Sequence, residues 1–150
     1  KGIHTTLDTS GNPFTREGER FEKIRKLLEV TDLVMLDIKH IDDEQHKILT
    51  GQTNQNILDM ARYLDEIGKP MWIRHVLVPE RSDKDEYLIR LDAFIQSLHN
   101  VQKVEVLPYH TLGAYKWKEL GYEYPLEGID PPTQERIKNA NQLLHTGARV

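Results

Sequence analysis

The sequence has 150 residues, of which 38% are hydrophobic and 29% charged, so it has the length of one ordinary domain with a modest apolar core. Its net charge is -4 at pH 7 and its lysines and arginines are scattered singly, which argues against nucleic acid as a partner because phosphate binding needs clustered positive charge. No apolar run approaches the ~20 residues that span a bilayer, which argues against a membrane protein.

Cysteine is absent from the chain, which removes disulfides, thiolate metal ligands and cysteine nucleophiles from these residues. Its absence fits a protein of the reducing cytoplasm. The chain opens on Lys1, Gly2, Ile3 and His4, with neither an initiator Met nor a signal-peptide pattern. We therefore expect residues 1–150 to form one partial domain, a fragment of a longer protein.

Four short β-rich runs, each bounded by polar or turn residues, predict strands. They are Ile3–Thr9, Leu33–Lys39, Met71–Val78 and Lys103–Leu107. Successive runs start ~30 to 40 residues apart with helical patterns between them, which is the spacing of βαβ units. Parallel strands joined by helices form an open doubly wound sheet or a barrel, and in both the ligand binds at the carboxyl ends of the strands.

Helical periodicity fills the segments between these runs. Asp42 and Ser82 have the spacing of N-cap residues, Gly51 and Gly68 are placed to end helices, and Thr133 is expected to cap a last helix. Residues 113–132 lack periodicity and carry several aromatics, which predicts a long ordered loop with a functional role. The apolar stripes are Phe21-Ile24-Leu27-Leu28, Ile57-Met60-Ala61-Leu64, Leu88-Leu91-Ile95-Leu98 and Ile137-Ala140-Leu144.

Two aspartates stand at the ends of the first two predicted strands. Strand alternation places Met35, Asp37 and Lys39 on one face. If the two strands are neighbours, Asp8 and Asp37 lie close together and need a proton or a cation between them. With the Thr9 hydroxyl and the Met35 carbonyl they would form an all-oxygen cage for a hard cation such as sodium, potassium, magnesium or calcium. A simpler interpretation, in which both aspartates begin turns and cap helices, stays open.

Arg74 and His110 are the other candidates for binding. Arg74 alternates onto the inward face of the third strand, where a guanidinium needs either a structural partner such as Asp37 or the carboxylate of a ligand. His110 follows the last strand, although it is one of seven histidines and is weak evidence alone. His75 alternates onto the opposite face from Arg74 and is predicted to be structural.

Four segments together resemble the activating enzymes of glycyl radical enzymes, within the radical S-adenosylmethionine (SAM) superfamily. They are LDTSG (Leu7–Gly11), TDLVMLDIKH (Thr31–His40), WIRHVLVP (Trp72–Pro79) and LPYHTLGAYKW (Leu107–Trp117). The likeness extends over nearly the whole chain, and the fourth segment in register with the other three is its most specific part. It implies an α/β fold, the carboxy-terminal part of an incomplete (β/α)6 TIM-like barrel with parallel strands and outer helices.

The resemblance also implies cofactors. In this family a four-iron four-sulfur cluster on a CxxxCxxC loop chelates SAM, and reductive cleavage yields a 5′-deoxyadenosyl radical that removes a hydrogen from a glycine of the partner. On matching positions, Asp37, Ile38 and Lys39 would bind the methionyl and ribose parts of SAM. Arg74 would face the cofactor or the incoming glycine loop, and His110 the ribose and adenine. No catalytic residue is expected within the chain itself.

The partner implied by the resemblance is a glycyl radical enzyme, with pyruvate formate-lyase the best match, and an enzyme for another glycyl radical protein is the alternative. The electron donor would be flavodoxin-like or ferredoxin-like, in the anaerobic glucose metabolism of the cytoplasm. Tyr115 and Trp117 would help to form the surface that the partner meets.

The sequence departs from the family pattern in two ways. The cluster loop is absent, so a chain without cysteine is expected to be inactive by itself. Glu80 stands where the family often has glycine, which leaves the local turn in doubt. Two other classes stay open: a metal-dependent barrel lyase or hydrolase using Asp37, Lys39 and His110, and a non-catalytic docking domain. Finally, the missing first strands would leave one sheet edge unpaired and prone to association.

Overall fold

Five strands form one sheet and lie across it in chain order. The computed structural model describes residues 2–149. The first four strands are parallel, whereas the short fifth strand runs antiparallel beside the fourth. The strands are β1 (Thr6–Thr9), β2 (Leu33–Asp37), β3 (Met71–Leu77), β4 (Val101–Pro108) and β5 (Gly147–Ala148).

Helices connect the parallel strands, as the sequence predicts. Asp42 caps α2 by accepting a hydrogen bond from the Gln45 N–H at 3.2 Å, and α2 ends at Gly51 in the left-handed region. Thr133 caps α6 in the same way, with the Arg136 N–H at 3.2 Å. The helices are α1 (Gly18–Glu29), α2 (Asp43–Thr50), α3 (Gln55–Glu66), α4 (Asp85–Gln96), α5 (Ala114–Glu119) and α6 (Gln134–Leu143). No helix described between residues 2 and 149 is long and apolar enough to cross a membrane.

The two faces of the sheet differ in what covers them. Along β3, burial alternates strictly, with Met71, Ile73, His75 and Leu77 buried and every second residue between them partly exposed. The buried face packs in one core with apolar residues of α1, α3, α4 and α6, among them Leu64 and Leu91. Within residues 2–149, the opposite face is therefore the open one, and it carries charged and large side chains.

Three sequence predictions of local structure are corrected here. Ser82 does not cap α4: Lys84 occupies the N-cap position, and Ser82 is buried, its hydroxyl donating to Val76 O at 2.8 Å and accepting from the Val78 N–H at 3.0 Å. Residues 113–132 are not all loop, because they contain α5. The first strand begins at Thr6 rather than Ile3, and β5 was not predicted.

The turn after β3 accommodates Glu80 at the position where the family often has glycine. Glu80 has φ 64°, a left-handed conformation that favours glycine. Its N–H donates to Asp83 Oδ1 at 2.9 Å, which holds the turn in place. The turn is therefore kept although a side chain replaces the expected glycine.

The β1 edge of the sheet is unpaired within residues 2–149, which predicts association of the isolated chain. The Leu33 N–H donates to Thr5 O at 3.2 Å, so alternate residues of β1 bond to β2 and Thr6 points its backbone groups outward. A proline there removes an outward donor without breaking the β1–β2 ladder. We expect the wild-type chain to form concentration-dependent oligomers by analytical ultracentrifugation and Thr6→Pro to be monomeric. Equal behaviour of both chains would show that the edge is not the contact.

Candidate functional site: a charged cluster on the open face

The open face gathers charged side chains at the carboxyl ends of β1 and β2 and in the middle of β3. Asp8 pairs in register with Met35, and Asp37 pairs with Arg74, so β1, β2 and β3 bring these residues side by side. Lys39 follows β2 on the same face. We call Asp8, Asp37, Lys39 and Arg74 the strand-end cluster. It assembles four of the residues that the sequence selected.

Arg74 lies between the two aspartates of the cluster. Its guanidinium donates to Asp8 Oδ1 and, from Nε, to Asp37 Oδ1 at 2.8 Å. Lys39 Nζ approaches the other oxygen of Asp37 at 2.6 Å. Two acidic and two basic groups thus alternate in one row of ion pairs. Within it, Arg74 binds Asp8, which lies 66 residues earlier in the sequence.

Burial makes the inner part of the cluster stronger than a surface salt bridge. The side chains of Arg74 and Asp37 are each 15% exposed, whereas that of Asp8 is 57% exposed. Burial by itself disfavours the charged guanidinium, but hydrogen bonds and charges from Asp8 and Asp37 more than offset it and raise the pKa of Arg74. Arg74 therefore stays a fixed cation, and Asp8 is the partner that water or a ligand reaches most easily.

The predicted cation between Asp8 and Asp37 corresponds, in this structure, to the guanidinium of Arg74. Thr9 Oγ1 accepts from the Gly11 N–H at 3.0 Å instead of facing an ion. Among residues 2–149, no group of three or more His, Asp or Glu side chains is placed to hold a metal. A hard cation could use the oxygens of Asp8, Thr9, Met35 and Asp37 only after Arg74 had moved away.

Ile38 and His110 lie in contrasting places. The Ile38 side chain is fully buried on the helix side of the sheet. Its N–H donates to Arg74 O and its carbonyl contacts His75 Nδ1, both at 2.9 Å, so Ile38 anchors the end of β2 rather than presenting a side chain to a ligand. His110 is exposed just beyond β4.

Three residues of the open face were not predicted as site residues. Trp72 pairs in register with Met35 and Lys103, and Glu105 pairs with Arg74. Lys103 Nζ lies 4.4 Å from the centroid of the Trp72 ring and 2.5 Å from Glu105. The alternation of Lys103, Val104 and Glu105 could have indicated a charged face on β4. The alignment of that face with β3, however, depends on a register shift at the start of the β3–β4 pair.

An aromatic cluster lies beyond β4. Tyr109 and Tyr124 share a hydrogen bond of 2.6 Å between their hydroxyls, and burial together with that bond raises the pKa of Tyr109 to about 12. The ring of Trp117 lies tilted against that of Tyr124, with 5.9 Å between their centroids, and Tyr115 is exposed. A cavity of about 390 Å³ opens beside α5, lined in part by Tyr115 and Tyr124. Tyr115, Trp117 and Tyr124 give this end of the molecule an aromatic surface above the buried Tyr109.

The strand-end cluster has the charge pattern that a zwitterion requires. An incoming carboxylate can replace Asp8 on the fork of Arg74, and an incoming ammonium can replace Arg74 or Lys39 on an aspartate. In each exchange a ligand group takes the place of a side chain of the same charge. The buried charge that it binds therefore keeps a partner of opposite sign. The arrangement is therefore suited to a ligand with an amino acid moiety.

Comparison with known proteins identifies the family. The model of the radical SAM superfamily matches residues 1–91, and the chain belongs to that superfamily. Two curated relatives are pyruvate formate-lyase-activating enzymes. The protein from Streptococcus mutans is 58% identical over 146 residues, which is 97% of this chain and 56% of the relative. The protein from Listeria monocytogenes is 52% identical over 147 residues, covering 98% of this chain and 59% of the relative. The chain thus spans less than three-fifths of these relatives.

Solved structures confirm the α/β class and the partial barrel. A domain of a pyruvate-formate lyase-activating enzyme from Bacteroides vulgatus has a TM-score of 0.75 at 21% identity and covers 96% of this chain and 76% of that one. A radical SAM methyltransferase from Sphaerobacter thermophilus has a TM-score of 0.65 at 19% identity, over 93% of this chain and 37% of that one. At these identities, the two likenesses concern the fold.

Proposed function

We propose that the protein containing this chain reductively cleaves SAM and generates a glycyl radical on pyruvate formate-lyase. The observation that carries the proposal is the strand-end cluster, a balanced set of charges at the carboxyl ends of β1 and β2 with Arg74 of β3 between them, in a member of the radical SAM superfamily. The names of the relatives from S. mutans and L. monocytogenes support the partner. The chain's share of the work is to bind and orient SAM.

The residues present fit the amino acid part of SAM. Arg74 would hold its carboxylate and Asp37 its ammonium, while Lys39 would pair with Asp37 and extend toward the ribose. Ile38 would contribute through the backbone that it anchors. His110, exposed beyond β4, would lie against the ribose and adenine. When bound, SAM supplies the sulfonium carbon–sulfur bond whose reductive cleavage starts the reaction.

The residues present do not fit the four-iron four-sulfur cluster. The cluster requires cysteine thiolates, and the chain has none. We therefore assign no step of the cluster's chemistry to these residues and propose that its ligands belong to a part of the protein outside this sequence. The isolated chain is expected to be inactive in SAM cleavage.

A hard cation is a further part of the proposal. SAM that draws Arg74 away from Asp8 would free the carboxylate of Asp8, which together with oxygens of Thr9, Met35 and Asp37 would hold sodium, potassium, magnesium or calcium. The electron donor is proposed to be flavodoxin-like or ferredoxin-like, and the location cytoplasmic. An enzyme that serves anaerobic glucose metabolism would meet such an electron donor in the cytoplasm.

The test uses the complete protein that carries this chain, reconstituted with iron and sulfide without oxygen. We expect reductant-dependent cleavage of SAM to 5′-deoxyadenosine and methionine, and a glycyl radical signal in electron paramagnetic resonance when pyruvate formate-lyase is added. Lys39→Ala should weaken SAM binding by about tenfold because an ion pair beside the ligand is lost. Lys23→Ala, which removes an exposed pair on α1, is the control.

Three results would contradict the proposal in different ways. Cleavage with no radical on pyruvate formate-lyase, but with one on another glycyl radical enzyme, would replace the partner. Stoichiometric zinc or manganese and hydrolytic turnover without SAM would favour the metal-dependent barrel enzymes. Binding of pyruvate formate-lyase without any cleavage would favour a docking role.

A further inference from the structure

We infer that His75 is a positioning residue, which holds the end of β2 so that Asp37 and Lys39 face the ligand. The inference rests on the proposed SAM site and adds a residue on the opposite face of the sheet. His75 is 2% exposed and lies in the layer between sheet and helices. It touches neither the strand-end cluster's open face nor solvent, so it would act through the backbone.

His75 contacts the backbone between Asp37 and Lys39, the two residues that it would position. His75 Nδ1 lies 2.9 Å from Ile38 O, the carbonyl of the peptide that joins Ile38 to Lys39. The Ile38 N–H donates to Arg74 O at 2.9 Å. Adjacent residues of β3 therefore hold both polar groups of Ile38, one residue beyond the end of β2. The direction in which Lys39 leaves the strand depends on that peptide plane.

The second ring nitrogen connects this anchor to the next turn. His75 Nε2 lies 3.1 Å from Ser82 O, and Ser82 holds Val76 and Val78 through its hydroxyl. Burial lowers the pKa of His75, so the ring is neutral at pH 7 and has one N–H to donate. The contact with Ile38 O is the shorter of the two. We therefore expect the loss of this contact to disturb the ligand site.

The two contacts can be separated by substitution. Asparagine places its amide nitrogen near the position of the ring Nδ1, so His75→Asn keeps a donor for Ile38 O. Glutamine places its amide nitrogen near Nε2, so His75→Gln keeps a donor for Ser82 O instead. His75→Leu removes the ring N–H and both contacts. A residue that only fills space would rank these variants by volume and apolarity, and Leu would then be the mildest.

The experiment uses the complete, cluster-loaded protein and measures the Kd for SAM together with hydrogen exchange of the Ile38 amide. We expect His75→Leu and His75→Gln to raise the Kd roughly tenfold, with the cleavage rate at saturating SAM little changed, and His75→Asn to stay near wild type. The Ile38 amide, which donates to Arg74 O, should exchange faster in the Leu and Gln variants only, since the end of β2 is then held less firmly.

Each other result overturns the inference. A Kd that is unchanged in all three variants, or raised equally in all three, shows that the Ile38 contact does not position the ligand site. Binding lost with Asn and kept with Gln shows that Ser82 is the relevant contact. If the wild-type protein neither binds nor cleaves SAM, the proposed function fails, and exchange at the Ile38 amide still decides whether His75 holds the peptide.

Discussion

Arg74→Ala should reduce the affinity for SAM by about a hundredfold or more in the complete, cluster-loaded protein. The substitution removes the guanidinium fork that we assign to the ligand's carboxylate, and charge-assisted bidentate pairs are the strongest hydrogen bonds of this kind. It also leaves Asp8 and Asp37 without the cation that separates them. The affinity is measured by isothermal titration calorimetry without oxygen.

The same variant should be less stable, by about 1–2 kcal/mol in urea unfolding. Asp37 keeps Lys39 and Asp8 can be hydrated, so the loss is smaller than for a fully buried orphan charge. Arg74→Lys should recover most of the stability and little of the affinity, because an ammonium restores charge but not the fork. Arg25→Ala, in an exposed pair on α1, is the control and should change neither quantity. Wild-type affinity in Arg74→Ala would remove Arg74 from the site.

Gly11→Ala should destabilise the chain by about 2–4 kcal/mol, since it combines backbone strain with crowding. Gly11 has φ 74° in the turn that follows β1. An added Cβ would lie 2.9 Å from Leu36 Cδ1 and 3.4 Å from the backbone of Ile57. Leu36 is fully buried, so its side chain has little space to yield.

Gly68→Ala is the matched control for Gly11→Ala. Gly68 has φ 66° after α3, but an added Cβ there meets nothing within 4 Å. It should therefore cost about 1 kcal/mol, the strain alone. Both values come from urea unfolding monitored by circular dichroism. Equal losses at the two positions would mean that the turn after β1 has room for a side chain.

Much of the fold was predictable because its signals are local. The apolar stripe of α3 and the caps Asp42 and Thr133 depend on neighbours three or four residues away, and all are confirmed. Ser82 misled for the opposite reason, since its N-cap spacing is accidental and its hydroxyl bonds to the end of β3. β5 is too short to show periodicity.

The candidate site divides in the same way. Alternation within β2 groups Asp37 with Lys39, and alternation within β3 places Arg74 opposite His75, without any knowledge of strand pairing. Which acid would meet Arg74 depended on the order and register of β1, β2 and β3. The sequence had offered an inorganic cation between Asp8 and Asp37, and tertiary structure put the guanidinium there.

By itself, then, the sequence determined the succession of strands and helices, the faces of each strand and the resemblance to glycyl radical activating enzymes. Only the tertiary structure decided the ion pairs of the strand-end cluster and the anchoring of Ile38 by His75. The physical reason is range. Periodicity and capping act within a few residues, whereas Arg74 meets Asp8 across 66 residues and His75 meets Ile38 across 37, through a register that strand pairing alone establishes.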